Sequence, residues 1–459
     1  MEKTAEIGNR QSAIGNALSS QLGIWVLKMG NYDPNTEKII AKELSSRLTF
    51  VSSMSKTAVA VSFDNTENAF AYKSDKELKK AHFLFSSMGY QALVQMGTRL
   101  TPWAIKAGLP IKNLIRNTIF EQFVGGETLE ETAHVAAKLK QFNVQVILDY
   151  GVEGMEGEEN FDHGTDEFIK VIEYAATQPN IPLMSVKVTG LARFALLEKL
   201  DAAATTKSGF EGKVHTEALT TAEKAEWQRV EQRITRICEA AAAKGIGVLI
   251  DAEESWIQDP VDALTMQMME KFNRKRTVIY NTIQLYRHDR LQFLKDSFAS
   301  AQQKGFILGA KLVRGAYMEK ERKRAAAMNY PSPIQPNKKA TDNDYNAALE
   351  FCVDYLEYIA LIVASHNEYS NLYTTELLDK KGIPHNHPHV HFSQLYGMSD
   401  NITFNLAKSS FRVSKYLPFG PIKDVIPYLM RRAQENSSVS GQTGRELGLI
   451  KKELERRKS

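Results

Sequence analysis

Cysteine is nearly missing from this chain: Cys238 and Cys352 are its two examples, far apart, each inside an apolar helical pattern. That excludes a disulfide scaffold or a thiolate metal centre and points to reduced core positions in a reducing compartment. Charge of one sign is missing too, because 58 basic residues face 54 acidic ones for a formal net charge of +4. So even a balance gives no field suited to a nucleic-acid backbone. No apolar run reaches the ~18 residues a spanning helix needs. The opening MEKTAEIGNRQSAIG mixes Glu and Lys, and no apolar segment with a small-residue cleavage site follows. Neither a secretory signal nor a transit peptide is expected. Walker A and GxSxG signatures are absent, and the nearest approaches to a dinucleotide fingerprint, GVEGMEGEE and GIGVLI, have the wrong spacing or precede a strand. There is no repeat of solenoid length and no low-complexity tract.

What is present is a core. With 43% hydrophobic and 24% charged residues, 459 positions can bury one large domain with attachments. Residues 1–65 are expected to be a poorly structured extension, and Met54 opens a second start-like sequence within it. Residues 66–117 carry three helical patterns broken at Gly and Pro. From 118 to 445 short apolar runs alternate with charged helical segments. The runs fall at 120–127, 144–154, 183–190, 247–255, 277–286, 306–317, 358–367 and 389–398. Eight strand-helix alternations predict a closed parallel (β/α)8 barrel of the TIM type, which takes roughly 250 residues; an open doubly wound sheet is the alternative. Residues 195–235 predict a helical excursion after the third run. The charged tail 446–459 reads as a solvated helix end, with contact to acidic lipid as the alternative.

In such a barrel chemistry sits where strands end. The runs finish in Lys187, in Asp251 with Glu253 and Glu254, in Gln284, in Lys311 and Arg314, and in His366 with Asn367. This inventory is cationic and hydrogen-bonding and poor in nucleophiles, which favours an organic cofactor that carries the electrons. HNHPHVH, residues 385–391, is the competing metal site. Its histidines alternate at period two into a strand and no acid follows at ligand spacing, so they predict a cap at the amino end of the barrel, not a metal centre. Residues 416–436 hold an apolar stripe of Ile422, Val425, Ile426, Leu429 and Ala433 beside a polar arc containing Arg431 and Arg432. Paired guanidinium groups on a docked helix suit a carboxylate or phosphate, though a solvated pair is the alternative. Pro427 demands either an earlier helix start or a kink.

Seven segments in order, among them SVKVTG, IDAEES, NTIQLYRHDR, LGAKLVRGAYMEKER, ASHN and KYLPFGPIKDVIPYLMRRAQEN, resemble the proline dehydrogenases, or proline oxidases, of the monofunctional type, over roughly residues 66–445. The resemblance implies a distorted barrel, FAD as cofactor, oxidation of L-proline to 1-pyrroline-5-carboxylate, and a membrane quinone as acceptor. It implies a cytoplasmic protein with peripheral contact at the inner face of the membrane. It also implies that Arg431, Arg432 and Lys187 hold the proline carboxylate, Tyr416 packs on the proline ring, and Asp251 orients the basic groups. Lys311 would stand near flavin N5 and Gln284 at the pyrimidine edge. Val313, Arg314, Gly315, Ala316 and Tyr317, with Ser365, His366 and Asn367, would wrap the ribityl and phosphate portion. Met318 departs from relatives with Trp there. Hydroxyproline is the alternative substrate, and a metal-dependent barrel hydrolase the more distant reading.

Overall fold

A computed structural model of the chain describes residues 61–90, 96–97, 111–151, 156–204, 208–438 and 442–459, except the side chains of 435–438 and 442–443. The apolar runs become parallel strands: β1 Gln145–Tyr150, β2 Leu183–Val186, β3 Gly247–Ile250, β4 Ile279–Gln284, β5 Leu308–Val313, β6 Ile359–Ala364, β7 Val390–Leu395 and β8 Val413–Phe419. Each pairs with the next, and β8 closes onto β1. Successive strand residues face opposite sides. Ile147, Leu183, Leu249 and Ile362 therefore fill the barrel, packed by Tyr280 and Tyr416. Their neighbours Val146, Leu148, Met184 and Val248 face outward into a larger core under the helices. Truncating such a residue to Ala costs about 2–5 kcal/mol through lost transfer energy and the cavity left behind.

The helices begin where the sequence caps them. Thr220 and Glu223 form a reciprocal capping box at the start of Thr221–Lys244, which ends at left-handed Gly245. This helix, with Phe194–Ala203, is the excursion expected over 195–235, and it follows β2.

Two assignments differ from expectation. Residues 120–127 are no strand: Glu121–Phe123 is helical, and the extended stretch after it lies beside β8, with Gly125 N–H donating to Pro418 O (2.8 Å). A Cβ on Gly125 would stand 2.8 Å from the Leu417 side chain, so only glycine permits this approach. The eighth strand is instead 413–419, which moves every later run down by one: Lys187 follows the second strand, Asp251 the third, and the histidine stretch enters the seventh.

At the termini, α1 (Thr66–Phe70) and α2 (Asp75–Met88) pack beside α3 (Ile422–Ser438) and α4 (Gln442–Arg456) in a second core of Phe70, Leu78, Phe85, Val425, Leu429, Leu449 and Ile450. The closing stretch is thus docked, not solvated: Glu453 is buried, and Arg457 donates to Phe70 O (2.9 Å) and Asp75 (2.8 Å). Residues 61–459 make one compact unit. The expected extension lies almost wholly outside the described residues, as does most of the second helical pattern, between 91 and 110.

Candidate active site

Period-two alternation that points Ile147, Leu183, Leu249 and Tyr416 inward also points Asp149, Ser185 and Asp251 inward, one step nearer the carboxyl ends of their strands. Lys187 keeps an extended backbone (φ −99°, ψ 128°), so it continues the alternation beyond β2. The mouth thereby collects residues 267 positions apart, from Asp149 to Tyr416, on one rim.

At its centre, Asp251 receives Lys311 Nζ in a short contact and the Tyr416 hydroxyl at 2.7 Å. Ser185 Oγ donates to Asp149 (2.7 Å) and stands 2.9 Å from the Tyr416 oxygen. Lys187 lies 3.6 Å from Asp149, and the Lys311 ammonium sits 5.6 Å from the centre of the Tyr416 ring. Burial alone would push the Asp251 carboxyl up. The charges of Lys311 and Lys187, with the hydrogen bonds from Lys311 and Tyr416, outweigh it and hold that carboxyl below the ordinary carboxylate value. Burial first, then the charges of Asp149 and Asp251, push the Tyr416 phenol well above its ordinary value. The centre is therefore a fixed anion holding one ammonium and one neutral hydroxyl in place. Asp149 and Ser185 escaped the sequence reading. Their signal was the inward parity of VQVILDY and LMSV, not any motif.

The neighbouring strands make a second group. Gln284, at the end of β4, donates through Nε2 to Glu253 O (3.0 Å), while its buried Oε1 has no hydrogen-bond partner among the described residues. Arg314, just past Val313, spreads its guanidinium over Asp342 (2.8 Å), Ser365 Oγ (2.7 Å) and Ser370 Oγ (3.0 Å), with the Tyr345 ring beneath it at 4.3 Å. Gly315 then turns at φ 138°, where a Cβ would strike the Tyr286 ring at 2.5 Å. Glycine is required there, and the following Ala316 is exposed beside half-buried Tyr317. Asn367 caps the next helix, its side-chain oxygen accepting from Ser370 N–H (2.9 Å). His366 is neutral: burial first, then the charges of Lys415, Arg432 and Arg314, lower it to about 3.

In α3 the apolar stripe is buried as expected, and Arg432 is buried with it, its guanidinium 5.2 Å from the Tyr428 ring centre. Arg431 is half-buried. The helix starts at Ile422, so Pro427 lies inside it and leaves the Lys423 carbonyl without its usual N–H donor. The histidine stretch is committed locally. His385 meets Asp379 (2.7 Å) and Ser409 O, His389 meets Leu356 O, and His391 meets Ser414 Oγ (2.6 Å). Among the described residues no three His, Cys, Asp or Glu are grouped to hold a metal. A cavity of about 560 Å³, lined by Lys73, Lys80, Arg116, Gln122, Lys138 and Tyr396, holds none of the residues named for the site.

A closed parallel barrel with its charged and hydrogen-bonding groups converging on the carboxyl rim defines an enzyme of the (β/α)8 class. More narrowly, the chain belongs to the proline dehydrogenase family, oxidoreductases whose family model, described as "Proline dehydrogenase", matches residues 132–445. It is 34% identical over 385 residues to "Proline dehydrogenase 1, mitochondrial" of Dictyostelium discoideum, covering 77% of this chain and 67% of that one. It is 31% identical over 432 residues to "Hydroxyproline dehydrogenase" of Xenopus laevis, covering 87% and 90%. Among solved structures, proline utilization A from Bdellovibrio bacteriovorus, inactivated by N-propargylglycine, shares the fold with a TM-score of 0.63 at 20% identity. That match covers 88% of this chain, which spans 42% of the other.

Proposed function

We propose that this chain oxidises L-proline to 1-pyrroline-5-carboxylate with FAD bound across the barrel mouth, and passes the electrons to a membrane quinone. One observation carries the cofactor reading: the buried Gln284 Oε1 waits for a donor at the rim, as the imide edge of a flavin would supply, within reach of a cationic wall made by Lys311 and Arg314. The residues present fit the group. Gln284 would hold the pyrimidine edge, Lys311 would stand beside the ring, and Val313, Arg314, Gly315, Ala316 and Tyr317, with Ser365, His366 and Asn367, would hold the ribityl and phosphate portion.

When bound, the flavin supplies a two-electron acceptor for hydride. The protein's share is placement and charge. Arg431, Arg432 and Lys187 clamp the substrate carboxylate, which leaves the ring to pack on Tyr416. Asp251, held ionised, fixes the direction of the Lys311 ammonium and the Tyr416 hydroxyl, so neither reorganises during the reaction. No strong base is needed, because proline that reaches the site with a deprotonated amine loses only hydride. Among the described residues no helix is long and apolar enough to cross a membrane, so the quinone would be met at the protein surface.

Anaerobic addition of L-proline to the purified protein tests the reading. The flavin band should bleach. A colourless protein, or a yellow one that proline leaves unbleached, would overturn it. The Xenopus relative makes hydroxyproline the second substrate to add, and faster bleaching with it would reassign the preference.

A further inference from the structure

The candidate flavin pocket is tied to the C-terminal helix through His366. His366, at the carboxyl end of β6, receives the Leu395 N–H on Nε2 (3.4 Å), so its proton sits on Nδ1 and is donated to Ser399 Oγ at 2.9 Å. Ser399 has φ +52°, a left-handed conformation that a serine keeps only when its surroundings hold it. Its backbone is held on both sides: Ser399 N–H donates to Glu446 Oε2 at 3.1 Å, and its carbonyl accepts from the N–H groups of Ile402 (3.1 Å) and Thr403 (3.2 Å) at the start of the next helix. Glu446 belongs to α4, the last helix, 47 positions after Ser399, and it is buried within the field of Asp400, Lys415 and Lys73. A carboxylate inside a protein is costly unless it bonds. Here its bond lands on the residue whose hydroxyl meets Nδ1 of a pocket histidine.

We propose that Glu446 is a positioning residue of the flavin pocket: through Ser399 it fixes the orientation of His366, so docking of the C-terminal helix and retention of the cofactor are one event. The inference rests on the flavin reading above and extends it to a residue outside the barrel. Loss of the Glu446 acceptor lets Ser399 leave its left-handed conformation. His366 then loses its acceptor on Nδ1 and shows the other polar edge to the ligand.

The test measures the dissociation constant of FAD from the purified flavoprotein by equilibrium dialysis, beside its melting temperature and the ¹⁵N shifts of His366. Ser399→Ala, which leaves the Glu446 bond to the backbone N–H intact, should raise the FAD dissociation constant by about five- to tenfold. Glu446→Ala should do the same, and Glu446→Gln, which keeps an acceptor oxygen, should restore most of the affinity. In all three the His366 Nδ1 shift should track the affinity. If Ser399→Ala and Glu446→Ala both hold FAD within twofold of the parent, the proposal fails, whatever their melting temperatures do. A parent protein that carries no flavin would sink the functional reading instead. The His366 shift then decides alone: if Glu446→Ala leaves it unmoved, this inference falls as well.

Discussion

Lys415 and Tyr416 are neighbours in β8, yet each enters its own Asp–Lys–Tyr cluster. On the inner side of the strand Tyr416 and Lys311 converge on Asp251. On the outer side Lys415 (2.8 Å) and Tyr72 (2.7 Å) converge on Asp400, with Lys73 at 3.8 Å. Both carboxyls are held below their ordinary value by the same balance, burial raising and the paired lysines lowering more strongly. The surroundings differ. The inner cluster opens on the rim beside Lys187 and the unsatisfied Gln284 oxygen. The outer one lies between the barrel wall and helices from both ends of the chain, with Lys415 wholly buried. One residue's shift along a strand separates a set of groups that can receive a ligand from one that fastens the termini.

This contrast can be broken first on the outer side. Asp400→Asn strips the partner from a buried lysine and should cost about 3–5 kcal/mol of stability, read by denaturant unfolding; a loss below ~1 kcal/mol would show the outer cluster is not a fastening. At the proposed carboxylate clamp Arg432→Met should raise the Michaelis constant for proline about thirtyfold, near 2 kcal/mol, without loss of flavin. Flavin loss with an unchanged Michaelis constant would place this arginine on the cofactor.

Two pH profiles sharpen the same comparison. At the mouth, turnover per unit proline should rise up to about tenfold per pH unit above 7, because the deprotonated amine is the reactive form; a flat profile contradicts hydride loss from that form. In the outer cluster Glu446 is raised to about 7, by burial first and then by Asp400, against the pull of Lys415, Lys73 and the Ser399 N–H. Since its folded value exceeds the unfolded one, the unfolded chain gives up this proton first. Its contribution to stability is whole below about pH 4.5 and is lost as pH rises towards 7. The melting temperature of the parent, compared with Glu446→Gln, should therefore fall across that window. Parallel curves would remove Glu446 from the balance.

Much of this was legible in the sequence. Alternation of apolar strands with charged helices gave the barrel, and strand-end polarity singled out Lys187, Asp251, Gln284, Lys311, Arg314 and His366, because both signals are local. β8 escaped because Lys415, Tyr416 and Pro418 look like a loop. A strand tolerates that lysine only because Asp400, 15 residues earlier, meets it. Residues 120–127 misled for the opposite reason: Phe120, Phe123 and Val124 are strand-like in composition but are buried against the terminal helices. The link from Glu446 through Ser399 to His366 joins three elements across 80 positions, and no local pattern encodes it.

The most direct measurement is the anaerobic bleaching rate of Asp251→Asn beside the parent. The account predicts a variant that melts within a few degrees of the parent, retains its flavin, and is reduced by proline at least tenfold more slowly. Reduction at the parent's rate would show that the anion at the centre of the mouth plays no part in the chemistry.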